Sequence, residues 1–153
     1  MKTEILNNAN VLQPLMVMWE MEADTSFDID TDLEIAIANL QKMIEDPDSD
    51  VIGLRNETGR IVGYIGVVCF GNPVGKGLCA NEHLWYVDPD FRGSTGSLRL
   101  IGDAIEWAKQ RGCSHIIFNA SQMASSQHER VCKLYERFGF RHFETSFITR
   151  IEA

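Results

Sequence analysis

Phe91-Arg92-Gly93-Ser94-Thr95-Gly96-Ser97 is the stretch on which the fold turns. It follows a hydrophobic run closed by Asp88-Pro89 and precedes a helical pattern. A turn of small residues leading from a strand into a helix N-terminus leaves several backbone N–H groups unpaired and converging on one spot, which favours a bound anion. Small residues also make ordinary turns, so the flanking sequence decides between an anion clasp and a plain connection.

Downstream, Leu98, Ile101, Ile105 and Ala108 recur at 3, 4 and 3 residues and predict an amphipathic helix that Gly112 closes. His115 to Asn119 reads as a short apolar strand and Leu78 to Asp88 as the strand before the turn. Residues 84 to 119 therefore form a βαβ unit with a right-handed crossover expected. A later helix carries Val131, Leu134, Tyr135 and Phe138 on one face and stops at Gly139-Phe140. Arg141 to Arg150 alternates, with Phe143, Thr145, Phe147 and Thr149 on one side, and predicts a closing strand.

Upstream, residues 3 to 6 suggest a short first strand, and Pro14 suits the first turn of a helix bearing Leu15, Met16 and Trp19. Thr31 with Glu34 predicts a capping box, and Leu33, Ile37, Leu40 and Ile44 form the apolar face of a second helix ended by Asp46-Pro47. Val51 to Arg55 and Ile61 to Phe70 read as a hairpin joined by Asn56 to Arg60. Gly63 and Gly66 within the second strand imply close backbone approach or a bulge. The loop Gly71 to Gly77 superficially resembles a phosphate loop, but its spacing is one residue short, no Ser or Thr follows Lys76, and a strand comes next.

The chain of 153 residues is expected to form a single domain, 1–153, with a real core. Its 44% hydrophobic and 24% charged residues suit a globular protein. The N-terminus carries no basic, apolar, small-residue leader and no apolar run approaches 18 residues, so no membrane is expected and the cytoplasm is the default location. Cys69, Cys79, Cys113 and Cys132 lack CxxC and metal-finger spacing, so they read as reduced, mostly buried thiols, with no metal expected. The net charge of −8 divides unevenly: residues 1 to 91 sum to −11 and residues 92 to 153 to +3, with the change of sign at Arg92. Such a field disfavours nucleic acid. Glu20, Glu22, Asp24, Asp28, Asp30, Asp32 and Glu34 form either a solvated acidic surface or an attractor for a cationic partner. Met16, Met18, Met21 and Trp19 belong to the core or to a subunit contact, so a homodimer stays open.

Three local segments, in order, carry a resemblance. They are Tyr86-Val87-Asp88-Pro89-Asp90-Phe91-Arg92-Gly93, then Ala104-Ile105-Glu106-Trp107-Ala108 with Gly112, then Leu134-Tyr135-Glu136-Arg137-Phe138-Gly139-Phe140. Leu84 to Phe140 thereby resembles the GNAT superfamily of acyl-CoA N-acyltransferases. The resemblance implies an α/β (α+β) fold: a mixed, mostly antiparallel central sheet flanked by about four helices, with the βαβ unit in the C-terminal half. It also implies acetyl-CoA as cosubstrate and a primary amine of a small molecule or peptide, expected to be cationic, as acceptor.

Within that resemblance the pyrophosphate of acetyl-CoA is expected on the amides of Gly93, Ser94, Thr95, Gly96 and Ser97, helped by the helix dipole and by Arg92. Thr95 and Ser97 stand where the family has smaller residues, and their hydroxyls can add donors. Pantetheine is expected beside Trp85, Tyr86 and Val87. His128 stands where the family often has Asn, seven residues before Tyr135. Tyr135 is the expected proton donor to the departing thiolate, because a phenol with a pKa near ~10 stays protonated at neutral pH. Glu82 is the candidate base for the amine, with His83 on the opposite strand face as the alternative. The rival readings are a non-catalytic binding module of the same fold and an anion-binding βα protein without CoA.

Overall fold

The structure is a computed structural model and describes residues 1–123 and 127–152. Its sheet has five strands in the order β1 (Lys2–Ile5), β2 (Ser49–Arg55), β3 (Ile61–Gly71), β4 (Leu78–Val87) and β5 (Cys113–Ile117). The first four pair antiparallel, and β5 runs parallel to β4. Helices α1 (Gln13–Glu22) and α2 (Leu33–Glu45) precede β2, α3 (Thr95–Gln110) joins β4 to β5, and α4 (His128–Arg137) follows. This is the mixed, mostly antiparallel sheet with four helices that the resemblance implied.

Strand alternation sends apolar side chains to both faces. On one face Leu54, Val62, Val67 and Ala80 meet Leu100, Ala104, Trp107 and Ala108 of α3. On the other Val51, Ile61, Tyr64 and Tyr86 meet Leu12, Leu15, Met16 and Leu40 from the α1 and α2 side. The α3 stripe is rotated from the expected one: Leu100, Ala104 and Trp107 are buried, while Leu98 and Ile105 lie at its margin. The α2 face of Leu33, Ile37, Leu40 and Ile44 packs as expected.

Several local expectations change. Asp32, not Thr31, caps α2, accepting from the Ile35 N–H at 3.1 Å. A carboxylate directly before Leu33 reaches that donor, and Thr31 instead donates to Glu20 at 2.9 Å. The four cysteines are free, but only Cys79 is fully buried. Residues 141 to 152 form no strand, and Phe143 and Phe147 are exposed. Alternation becomes a strand only when a neighbouring edge accepts its backbone bonds, and no described residue pairs with this segment. Its Arg150 makes a solvent-exposed ion pair with Asp28 at 2.9 Å. No helix among the described residues is long and apolar enough to cross a membrane.

Candidate active site

The site lies where β4 and β5 part. Their ladder runs only from Leu78–Cys113 to Asn81–Ile117, although β4 continues to Val87. Against β3, Gly66 pairs with Leu84 and Val67 with Glu82, so His83 is the extra residue of a bulge. The same register places the glycine at 66 against the Met43 side chain, where a Cβ would come within 3.0 Å. Beyond Asn81 the free edge of β4 borders a cavity of about 540 Å³.

Glu82 is 4% exposed and faces this cavity, whereas His83 is exposed at its rim. Burial pushes the Glu82 carboxyl up from 4.5 to about 7, against the opposing effect of hydrogen bonds from Asn119. The Asn119 N–H donates to Glu82 Oε2 at 3.1 Å, and its side-chain amide donates to the Glu82 carbonyl at 2.6 Å and to Asn81 Oδ1 at 3.0 Å. The Asn119 carbonyl accepts from Tyr135 Oη at 3.1 Å. One residue thus connects the expected base and the expected acid. Nothing in the sequence set Asn119 apart from an ordinary strand end, because its role depends on where β5 stops.

Tyr135 is buried between aromatic rings, with Trp85, Phe118 and Phe140 centroids at 6.0, 5.3 and 5.9 Å. Burial raises its phenol well above the ordinary range, and the Glu82 and Cys132 charges raise it further. The ring is held by the end of α4: Phe140 N–H donates to the Tyr135 carbonyl and Gly139 N–H to that of Glu136, each at 3.0 Å, with Gly139 at φ 89°.

At the turn, Ser94 caps α3 by accepting from the Ser97 N–H at 3.1 Å, and Ser97 Oγ donates to the Ser94 carbonyl at 2.8 Å. Both hydroxyls are therefore occupied. No bond among the described residues engages the N–H groups of Gly93, Thr95 and Gly96. Gly93 adopts φ 74° with open space where a Cβ would stand. Gly96 serves a different purpose, since its Cβ would lie 3.1 Å from Met1 and 3.2 Å from Leu54 side-chain atoms. It lets α3 approach the sheet.

Arg92 lines the cavity, but its Nε donates to the Val87 carbonyl at 2.9 Å and its guanidinium pairs with Glu22 at 2.6 Å over the Tyr86 ring. Those bonds commit it to α1 and β4. Other cationic side chains on the cavity wall come from α4, where Lys133 and Arg137 line it with no ion pair among the described residues, beside Arg130, which donates to Gln127. Trp85, Tyr86 and Val87 also line it. His128 opens α4 outside the cavity lining, with Nδ1 buried and lacking a partner among the described residues and Nε2 3.7 Å from Cys132 Sγ.

The acidic run is largely occupied. Glu20 accepts from Thr31, Glu22 pairs with Arg92, Asp24 accepts from the Ser26 N–H, Asp28 pairs with Arg150 and Asp32 caps α2. Of the four residues read as core or subunit contact, Met16 is buried and accepts from Tyr64 Oη at 3.0 Å, Trp19 reaches the cavity, and Met21 is exposed.

The sheet thus opens between the parallel strands β4 and β5, beside the α3 N-terminus with its open Gly93, Thr95 and Gly96 amides. Residues 15–140 match the Acetyltransferase (GNAT) family, and the chain belongs to it. It is 31% identical over 98 residues to an uncharacterized N-acetyltransferase of Methanocaldococcus jannaschii, covering 63% of this chain and 42% of that protein. It is 27% identical over 108 residues to an uncharacterized N-acetyltransferase of Schizosaccharomyces pombe, covering 71% of this chain and 61% of that protein. The matches thus span less than two thirds of these curated relatives. The fold is similar to that of a ribosomal-protein-alanine N-acetyltransferase from Brucella melitensis biovar Abortus, with a TM-score of 0.74 at 20% identity over 99% of this chain and 100% of that one.

Proposed function

We propose that this chain transfers an acetyl group from acetyl-CoA to a primary amine of a small molecule or peptide, by direct attack with both reactants bound. The observation that carries this reading is the pair Glu82 and Tyr135, both facing one cavity and both bonded to Asn119.

The residues suit the cosubstrate. The amides of Gly93, Thr95 and Gly96 would hold its pyrophosphate at the positive end of α3, with Lys133 and Arg137 across the cavity. Between Glu82 and Val87, whose carbonyls are taken by Asn119 and Arg92, the β4 edge would offer backbone groups to pantetheine. Acetyl-CoA supplies, when bound, the thioester carbon at which the C–N bond forms and the C–S bond breaks. Glu82 takes the proton that the amine nitrogen must lose, its carboxyl poised near neutrality for that task. Tyr135, whose buried phenol stays protonated, would turn its hydroxyl from Asn119 to the departing sulfur and stabilise the thiolate as a hydrogen-bond donor. Each proton has one source and one destination, and no covalent enzyme species is required.

The test combines calorimetric titration with acetyl-CoA and a thiol-release screen over amines. Acetyl-CoA binding with amine-dependent thiol release supports the proposal. Binding without release across the panel assigns the chain to the non-catalytic alternative, and absence of binding defeats both.

A further inference from the structure

The ladder between β4 and β5 ends at the pair Asn81–Ile117, yet Asn119 still reaches across to β4. Its side-chain amide carries two hydrogens and both are used, on the Glu82 carbonyl at 2.6 Å and on Asn81 Oδ1 at 3.0 Å. The orientation of the amide follows from its partner, because the Glu82 carbonyl can only accept. A side chain thus takes over the tie between the strands where the backbone ladder stops.

The main-chain groups of the same residue meet the reactive pair. The N–H donates to Glu82 Oε2 and the carbonyl accepts from Tyr135 Oη, each at 3.1 Å. At position 119 β5 has ended and α4 has not begun, and no backbone–backbone bond among the described residues outside the helices and strands engages it. Its backbone therefore takes its place from the amide at the end of its own side chain. Few residue types can do this. Serine and threonine have one hydroxyl hydrogen, ionised aspartate has none, and glutamine carries its amide one methylene further out.

We infer that Asn119 is the positioning residue of this site: its side-chain amide fixes the end of β5 on β4, and its main-chain N–H and carbonyl thereby hold Glu82 and Tyr135 in one arrangement. The catalytic consequence rests on the acetyl-transfer reading above, whereas the hold on the Glu82 carboxyl does not. A hydrogen bond donated to a carboxylate favours its ionised form, so Asn119 opposes the effect of burial on Glu82. Releasing that bond should move the Glu82 titration upward. Tyr64 on β3, Tyr135 on α4 and His83 at the rim are retained when position 119 changes, as are the cavity cations Arg92, Arg130, Lys133 and Arg137.

The experiment follows the Glu82 carboxyl by carbon-13 NMR in protein labelled at its glutamate carboxyls, with Glu82→Gln identifying the resonance. Thermal melts and thiol release from acetyl-CoA with phenethylamine and spermidine are recorded beside it. Asn119→Ala should raise the midpoint of the Glu82 titration by at least about 0.5 in pH. It should also lower kcat by about 10-fold at pH 9, where the carboxyl is ionised in both proteins and the remaining loss reports misplacement. Asn81→Ala removes one of the two anchors and should move the midpoint the same way by less; it decides the matter if Asn119→Ala does not fold. A residue that merely ties strand ends would lower the melting temperature and leave the carboxyl where it is. A midpoint unmoved in the folded variants, or a kcat within about twofold of wild type at pH 9, would overturn the inference. If the wild type releases no thiol with either amine, the acetyl-transfer reading loses its support, and the carboxyl titration alone decides the role of Asn119.

Discussion

At the scale of single residues, Glu82 makes two pH-dependent claims. Its folded-state carboxyl is raised to about 7, so the folded chain binds this proton more tightly than the unfolded chain does. That contribution favours folding at low pH and is lost as pH rises from about 4.5 to about 7. Glu82→Gln should therefore gain stability relative to wild type across that window, by as much as about 3 kcal/mol. Denaturant titrations at pH 4.5 and pH 8 check this, and a constant difference would refute it. The same variant should lose the ascending limb of kcat/KM near pH 7 that belongs to the base. Tyr135→Phe should lower kcat by roughly 100-fold with little change in KM for acetyl-CoA, and cost about 1 kcal/mol of stability through the bond to Asn119. A kcat unchanged within twofold would mean the phenol only packs. The sequence singles out Glu82 by its place on the strand before the turn and Tyr135 by the resemblance carried by Leu134 to Phe140, and both line the cavity. It does not reveal the roles of Asn119 and Glu22, since their partners are 37 and 70 positions away in the chain.

At the scale of elements, the two glycines of the turn separate. Gly93→Ala places a Cβ in the left-handed region over open space, costing about 1–2 kcal/mol and weakening acetyl-CoA binding directly. Gly96→Val drives a branched side chain against Leu54, and should cost about 1–3 kcal/mol before any ligand is added. Thermal melts with and without acetyl-CoA distinguish them, and equal losses of stability with equal losses of binding would erase the distinction. The sequence treats both as anion-turn glycines because spacing reports neither φ nor what lies behind a Cα. Helix and strand order is readable up to residue 140 from period and turn residues, although the α2 cap is Asp32 and β5 begins two residues before the expected strand. It fails over 141–150, where alternation has no neighbouring strand edge to pair with among the described residues. The α3 stripe was misplaced by a fraction of a turn, because Leu98 borders the cavity and not the core.

At the scale of the whole molecule, the charge division now has structural content. The acidic half pairs with three arginines of the basic half, Glu22 with Arg92, Asp50 with Arg111 and Asp28 with Arg150, while part of the basic half lines the cavity through Lys133 and Arg137. Raising ionic strength about tenfold from a low-salt buffer should weaken acetyl-CoA binding several-fold, since exposed charges are screened beyond about 10 Å at 0.1 M salt. A salt-independent dissociation constant would show that these cations do not hold the phosphates. The parting of β4 and β5 has one more consequence. A strand whose outer edge has no neighbour exchanges its outward amide hydrogens with solvent through local fluctuations, without waiting for global unfolding. The first four residues of β4, laddered on both sides, should retain deuterium-free amides far longer than the stretch from His83 to Val87. Acetyl-CoA should slow exchange selectively in that second stretch, so that the ligand acts as the missing neighbour strand and the sheet becomes uniform only when occupied.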